Sequence, residues 1–431
     1  MSRLSWTNRL LLSSTCAALG LLIALSPAFA ATGPYLVKNI KAGSGSSQPG
    51  EFTELNGFVV FTAAGGGAGY ELWRSDGTKS GTFRLRDIRP GSKTSNPREL
   101  ARIGNKVFFS ANDGVHGQEL WITDGTIAGT QMVKDIAPGK GHAFYRGDWP
   151  GALFVDVQGA AFFVNSADNK LWRSDGTAAG TYAVPGSPNY ASGLTPLADR
   201  VYFNADGNLW RSNGTEVGTR KVKNSAGNFL PDANEIAAAG SLVYFEYNES
   251  RVWRTDGTAP GTFKVLDLGA GCSGYGCLPM MLTAAGSLIY FSPVGWNAIW
   301  RSDGTAADTF QVMPLGGASS DMFVPVGDRM YLKPHSLYVS DGTVEGTVPV
   351  DLPDGLSVAH VFDVAGAAYY GAWTPEDGTP GRLYSTDGTA AGTHPMGPAT
   401  MTGPYGLTVA GNHVFFAAWD SRGRELWAFI P

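Results

Sequence analysis

The sequence predicts an all-β fold, a β-propeller of about nine four-stranded blades, and three observations carry that expectation. One aromatic phrase recurs along most of the chain, first as Glu71-Leu72-Trp73-Arg74-Ser75-Asp76-Gly77-Thr78, closed by Gly81-Thr82. Its copies centre on Trp73, Trp121, Trp172, Trp210, Trp253, Trp300, Tyr338, Tyr384 and Trp427, spaced 38 to 51 residues apart. A period of that length in a strand-and-turn sequence marks a propeller blade or a solenoid turn. The second observation is composition: 431 residues with 58 Gly, 12% aromatic and only 16% charged, the balance of many short strands joined by tight turns. The third is a spare strand at one end of the array and a missing one at the other.

The second copy shows how a unit builds a blade. Glu99 to Ile103 is the first strand, Gly104-Asn105 a tight turn, and Val107-Phe108-Phe109 the second strand. The loop Asn112-Asp113-Gly114-Val115-His116-Gly117 leads to a third strand, Glu119 to Thr123. Asp124-Gly125-Thr126 opens a hairpin into a fourth, Gln131 to Ile136. Apolar runs bounded by Gly, Asn and Asp at this spacing are the pattern of antiparallel strands. The second-strand phrase returns as Val201-Tyr202-Phe203, Val243-Tyr244-Phe245, Ile289-Tyr290-Phe291 and Val414-Phe415-Phe416.

In the Asp-Gly-Thr turn an Asp carboxylate can accept backbone N–H bonds from the residues after it, and Gly tolerates a positive φ. Asp76, Asp124, Asp175, Asp256, Asp303, Asp341 and Asp387 are therefore expected to cap turns. Asn213 replaces the Asp once, and Asp308 replaces the second Gly once. Tyr35 to Ile40 matches the fourth strand Met132 to Ile136, whereas Gly406 to Ile430 supplies three strands and then ends. Pairing the N-terminal strand with the C-terminal blade closes a ring and hides edge strands; an open solenoid would instead need polar caps. Nine blades exceeds the four to eight typical of propellers.

Arg3 and Arg9 precede a mostly apolar run, Leu10 to Leu25, and Ala28-Phe29-Ala30 fits a small-x-small cleavage site. Residues 1–30 read as a secretory signal peptide and 31–431 as a single propeller domain. The apolar run falls short of the ~20 residues of a spanning helix. The mature chain is expected to have no membrane span and to be secreted, periplasmic or at the cell surface. Cys16 does not make a lipoprotein signal, because Ser13 stands where an aliphatic residue belongs. Without Arg3 and Arg9 the balance is 30 basic to 37 acidic residues. No basic run is present to neutralise phosphates, which excludes a nucleic-acid partner. Cys272 and Cys277 flank a glycine-rich loop, and in an exported chain they read as a disulfide that stiffens it. A metal site needs more thiols or nearby histidines, so neither metal nor cofactor is expected.

The phased phrase resembles the ELWxxDGT-repeat proteins, a family of exported bacterial repeat proteins, over essentially everything after residue 30. The resemblance implies a repeat-built fold and export, and it implies no activity and no catalytic residue. The Asp-Gly-Thr turn is similar to the Asp-box hairpin of sialidase-type propellers, where that hairpin is structural.

Function is expected where the repeats differ. Loops leaving the fourth strand, and those joining strands two and three, share the face opposite the Asp-Gly-Thr hairpins. They carry Tyr145, Trp149, Tyr190, Tyr275, Trp296, Trp373, Tyr405 and Trp419, with Asp113, Asp148, Glu376, Asp377 and Asp420. Aromatic planes beside carboxylates suit sugar rings, so recognition of a surface glycan or an extracellular protein is the leading expectation. Tyr145, Trp149, Tyr190, Trp296, Trp373, Trp419, Asp148, Asp377 and Asp420 are the candidate ligand residues; packing of loops onto blade ends is the competing role for each. A structural cell-envelope protein is the alternative. The sequence has no nucleophile elbow, P-loop or HExxH, and six scattered histidines, so no enzyme is expected. A glycoside hydrolase needs only two carboxylates and is the enzymatic alternative.

Overall fold

The computed structural model describes residues 32–144, 154–231, 233–247, 250–268, 279–293, 298–315, 322–334, 336–373 and 381–431. Among them, 36 strands and no helix form nine four-stranded antiparallel sheets. Blade 1 comprises β2 (Gly50–Leu55), β3 (Phe58–Ala64), β4 (Tyr70–Ser75) and β5 (Phe83–Arg86), paired in that order. Blade 2 comprises β6 (Arg98–Ile103), β7 (Lys106–Asn112), β8 (Gln118–Thr123) and β9 (Gln131–Lys134). The first strand of every blade lies against the first strands of both neighbours, and that of blade 9 lies against that of blade 1. The expected nine-bladed ring is therefore the fold.

The second strands carry uninterrupted apolar runs because each is covered on both faces by neighbouring blades. In β3, Val59, Val60 and Phe61 are fully buried, and in β7 so are Val107 and Phe109. Apolar side chains gather into nine clusters, one per interface between successive blades. The cluster between blades 9 and 1 joins Phe415, Leu426 and Ala428 to Val59, Phe61 and Trp73, with Val37 and Ile40 from the N-terminal segment.

Blade 9 runs β34 (Thr402–Ala410), β35 (His413–Asp420), β36 (Gly423–Ile430) and then β1 (Thr32–Lys38) as its outermost strand. Tyr35 stands opposite Ala428 and Leu36 opposite Trp427. The closing interface repeats the chemistry of the internal ones. Lys38 Nζ donates to the Thr82 carbonyl of blade 1, as Arg86 Nη1 donates to Thr130 and Lys134 Nζ to Thr181, each at 2.7 Å, one and two interfaces on.

The strand bounds differ from expectation at informative places. The expected strands Tyr35 to Ile40 and Gln131 to Ile136 stop at Lys38 and Lys134. Ile40 and Ile136 have left the ladder because their N–H groups donate to the buried carboxylates of Glu425 and Glu119, both at 2.8 Å. β34 also begins at Thr402, ahead of the expected Gly406.

Deleting residues 32–40 strips blade 9 of its fourth strand and blade 1 of the Lys38 contact. The expected outcome is a large fall in melting temperature with aggregation through the uncovered edge of β36, read by calorimetry and size-exclusion chromatography. A monomer as stable as intact residues 31–431 contradicts the closure.

Candidate functional site

Eight hairpins, seven Asp-Gly-Thr and one Asn-Gly-Thr, stand on one face and share one hydrogen-bond set. In the first, Asp76 Oδ1 accepts from Thr78 N (2.9 Å) and Thr78 Oγ1 (2.7 Å), and Gly81 N donates to Thr78 Oγ1 (2.9 Å). The buried Thr82 hydroxyl meets Ser75 Oγ at 2.7 Å and donates to the Thr78 carbonyl at 2.6 Å. The same bonds recur at Asp124, Asp175, Asp256, Asp303, Asp341 and Asp387. Asn213 Oδ1 takes the carboxylate's place without loss of the Thr215 bonds. The Thr126 hydroxyl holds the Asp124 carboxyl below the usual carboxylate range, because hydrogen bonds to the charged form favour it.

The hairpin glycine has a second role. Gly77 and Gly125 have φ of 90° and 84°, a region that favours glycine. A Cβ on Gly77 would also lie 2.6 Å from His413 of blade 9, and one on Gly125 would lie 2.1 Å from the Phe58 ring of blade 1. Each glycine is thus the point where a hairpin seats on the preceding blade. Arg74 strengthens the seat, its guanidinium 3.9 Å above the Phe58 ring and donating to the Gly125 carbonyl at 3.0 Å.

On the opposite face, three buried glutamates organise the connections between blades. Glu71 accepts from Ile88 N (2.9 Å), Ser95 N (3.1 Å) and Ser95 Oγ (2.6 Å). Glu425 does the same across the join of the chain ends, with Ile40 N (2.8 Å), Ser47 N (3.1 Å) and Ser47 Oγ (2.6 Å). Glu119 accepts from Ile136 N (2.8 Å) and Ala137 N (3.1 Å). Burial raises the proton affinity of all three, and the donors oppose it. Sequence reading missed this role. The signal was present: Glu precedes Leu-Trp in three copies, and Ser95 follows Glu71 by 24 residues.

The candidate ligand residues fall into three groups. Tyr145, Asp148, Trp149, Trp296 and Asp377, together with Tyr275, Glu376, Cys272 and Cys277, lie outside the described residues. Asp113 and Asp420 are engaged in their own loops. Asp113 accepts from the Val115 and His116 amides and pairs with His116 Nδ1 at 2.7 Å. Asp420 has a side chain only 3% exposed and binds Arg422 through its backbone N–H and its guanidinium. Tyr190, Trp373, Tyr405 and Trp419 are exposed, at 72%, 48%, 54% and 43%.

Two of these tryptophans are structural equivalents. Blade 8 opens with β30 (Ser357–Val364) and β31 (Ala367–Trp373). Trp373 follows the first residue of its second strand by six positions, as Trp419 follows His413 in blade 9. Each stands opposite the start of its blade's innermost strand, Trp373 across from Ser357 and Trp419 across from Thr402. The same position holds Ala64, Asn112, Ser166 and Asp206 in blades 1 to 4. Tyr405, on the innermost strand of blade 9, lies under the Arg424 guanidinium at 4.9 Å. Among the described residues, no three His, Cys, Asp or Glu side chains are grouped to hold a metal ion.

No protein-family model matches the chain, and no curated protein matches its sequence. Solved structures similar to it include the computationally designed Ika8 protein, at 12% identity and a TM-score of 0.43, over 78% of this chain and 98% of that one. BamB from Moraxella catarrhalis is similar at 12% identity and a TM-score of 0.40, over 77% and 96%. A prolyl endopeptidase is similar at 15% identity and a TM-score of 0.44, over 89% of this chain but 56% of that one.

The two faces predict different mutational costs. Asp76→Ala removes one turn cap and should cost about 0.5–2 kcal/mol. Glu425→Ala removes the buried acceptor of the Ile40 amide and one of the two acceptors of the Ser47 amide and hydroxyl, which keep the Arg424 carbonyl, and should cost about 1–3 kcal/mol. Chelator should leave both melting curves in place, read by denaturant and thermal unfolding. A large chelator-induced drop would make the aspartates metal ligands.

Proposed function

We propose that this protein is an exported, non-catalytic recognition propeller that binds a surface glycan through the variable-loop face of blades 8 and 9. The observation that carries the reading is the pair Trp373 and Trp419, exposed at the same register position of neighbouring blades, with exposed Tyr405 on the innermost strand beside them. Most other aromatic side chains of this size are held in the inter-blade clusters; Tyr190 and Phe229 are exposed singly, on blades 3 and 4. Leaving about half of Trp373, Tyr405 and Trp419 in water forgoes on the order of 1 kcal/mol of burial apiece, which recognition of a partner recovers. Aromatic faces repeated at one-blade spacing suit successive rings of a polysaccharide, whose C–H faces stack on them. The ring supports this use, since the strands that carry the tryptophans are locked in sheets on a closed frame. The leader-like segment around Arg3, Arg9 and Ala28-Phe29-Ala30 supports an extracytoplasmic location. Among the described residues no helix is long and apolar enough to cross a membrane.

The test is affinity electrophoresis and calorimetry of the mature chain against cellulose, xylan, chitin and dextran, with Trp373→Ala and Trp419→Ala. Retention by at least one polysaccharide is expected, with each substitution costing about 2 kcal/mol of affinity and little melting temperature. If both substitutions lower the melting temperature and no polysaccharide is retained, the tryptophans are packing residues. If a polysaccharide is cleaved, the protein is a hydrolase and the non-catalytic reading is wrong.

A further inference from the structure

We propose that Glu119 makes the connection between blades 2 and 3 a pH-responsive latch, closed while its carboxyl is protonated and loosened as it ionises. Glu71, Glu119 and Glu425 occupy the same place in blades 1, 2 and 9, and all three are fully buried. Each gathers the segment that leaves its blade's fourth strand. Glu71 and Glu425 receive a serine hydroxyl at 2.6 Å, from Ser95 and Ser47. The residue 24 positions after Glu119, where Ser95 stands relative to Glu71, is Ala143.

The backbone there is unchanged. Ala143 N donates to the Gln118 carbonyl at 3.0 Å, as Ser95 N donates to Tyr70 at 3.1 Å. Ala143 is fully buried, so its methyl occupies the position from which the serine hydroxyl donates. Among the described residues, the blade 2 site is one hydroxyl donor short.

A buried carboxylate with fewer donors prefers its neutral form. Burial pushes the Glu119 carboxyl up to about 7, against the Ile136, Ala137 and Ala143 amides, and the nearby Asp135 pushes it the same way. The other titratable and charged groups around it among the described residues are His116, with its partner Asp113, on the loop before β8, and Lys140 and His142 on the connection. Asp113 raises the proton affinity of His116, with smaller contributions from Asp135 and Glu119. His142 Nδ1 accepts from Gln118 N at 3.0 Å.

The sign follows from linkage. The folded-state proton affinity is raised, so the contribution to stability is complete below the unfolded value near 4.3 and is lost as pH rises through about 7. Above that pH the least costly relief is local opening of residues 135–143 to water.

Hydrogen exchange on the mature chain from pH 5.5 to 8.5 tests this, with protection corrected for intrinsic exchange. Segment 135–144 is compared with its counterparts 87–96 and 39–48. From pH 5.5 to about 7 its protection should fall by up to tenfold per pH unit, level off above pH 7, and end lower relative to both counterparts than at pH 5.5. Ala143→Ser should abolish most of that difference, and Glu119→Gln should make the segment's protection independent of pH. Parallel protection of the three segments in the wild type would overturn the proposal. So would a pH-dependent loss that survives Ala143→Ser. If that variant fails to fold, persistence of the loss in Glu119→Gln overturns it instead.

Discussion

The pairing of β1 with β36 is the contact on which the rest of the ring depends. Every other blade closes its sheet with a strand next to it in sequence. Blade 9 takes its fourth strand from the opposite end of the chain, so its outer edge and the start of blade 1 are covered only when the two ends meet. Three layers of contact hold that meeting in register. The ladder sets Tyr35 against Ala428, the Glu425 carboxylate collects Ile40 and Ser47, and Lys38 reaches the first hairpin of blade 1. Because the pleat alternates, a one-residue slip of β1 would turn the buried Val37 toward water. Register and closure are therefore one constraint.

A ring built this way separates frame from variation. The hairpin face is the frame, where eight turns use the same bonds and glycines such as Gly77, Gly125, Gly304 and Gly342 seat their blades on the one before. The frame tolerates chemical exchange where hydrogen-bond geometry survives, as at Asn213, because the Asp carboxylate acts through one accepting oxygen. On the other face three glutamates fix where the connections of blades 1, 2 and 9 depart from their fourth strands, and the residues beyond are released from the repeat. That division is what allows Trp373 and Trp419 to stand in solvent on strands that are otherwise buried.

The fold was legible in the sequence because the repeat states it nine times. Blade number, strand order, the hairpin caps and the mode of closure could all be read from the phased aromatic phrase and from the match between Tyr35–Ile40 and Met132–Ile136. The strand ends were less legible, since a strand stops where a side chain from elsewhere offers its amide a better acceptor. Glu119 and Glu425 do this to Ile136 and Ile40 across 17 and 385 residues. The second role of the hairpin glycines was hidden for the same reason: the Phe58 ring that excludes a side chain at Gly125 belongs to another blade. In the candidate site, exposed aromatics were readable as residue types in divergent loops. The distinction between Trp419, half in solvent, and Asp420 beside it, folded back onto Arg422, depends on how one short loop turns.

Closure by the chain ends is the claim to test most directly, and a distance measurement across the join does so. Gly33 and Pro431 are both exposed, a side chain at Gly33 would meet nothing within 4 Å, and the adjoining Thr32 and Ile430 are partners in the ladder. Nitroxide labels on Gly33→Cys and Pro431→Cys, with the native cysteines replaced by Ser, can be measured by double electron–electron resonance in residues 31–431. Neighbouring strands lie about 5 Å apart, so the account predicts one narrow distribution at the short limit of the method, collapsing to a broad one only on unfolding. A long or broad distribution in the folded protein would mean that the ends do not meet and the nine blades do not form a closed ring.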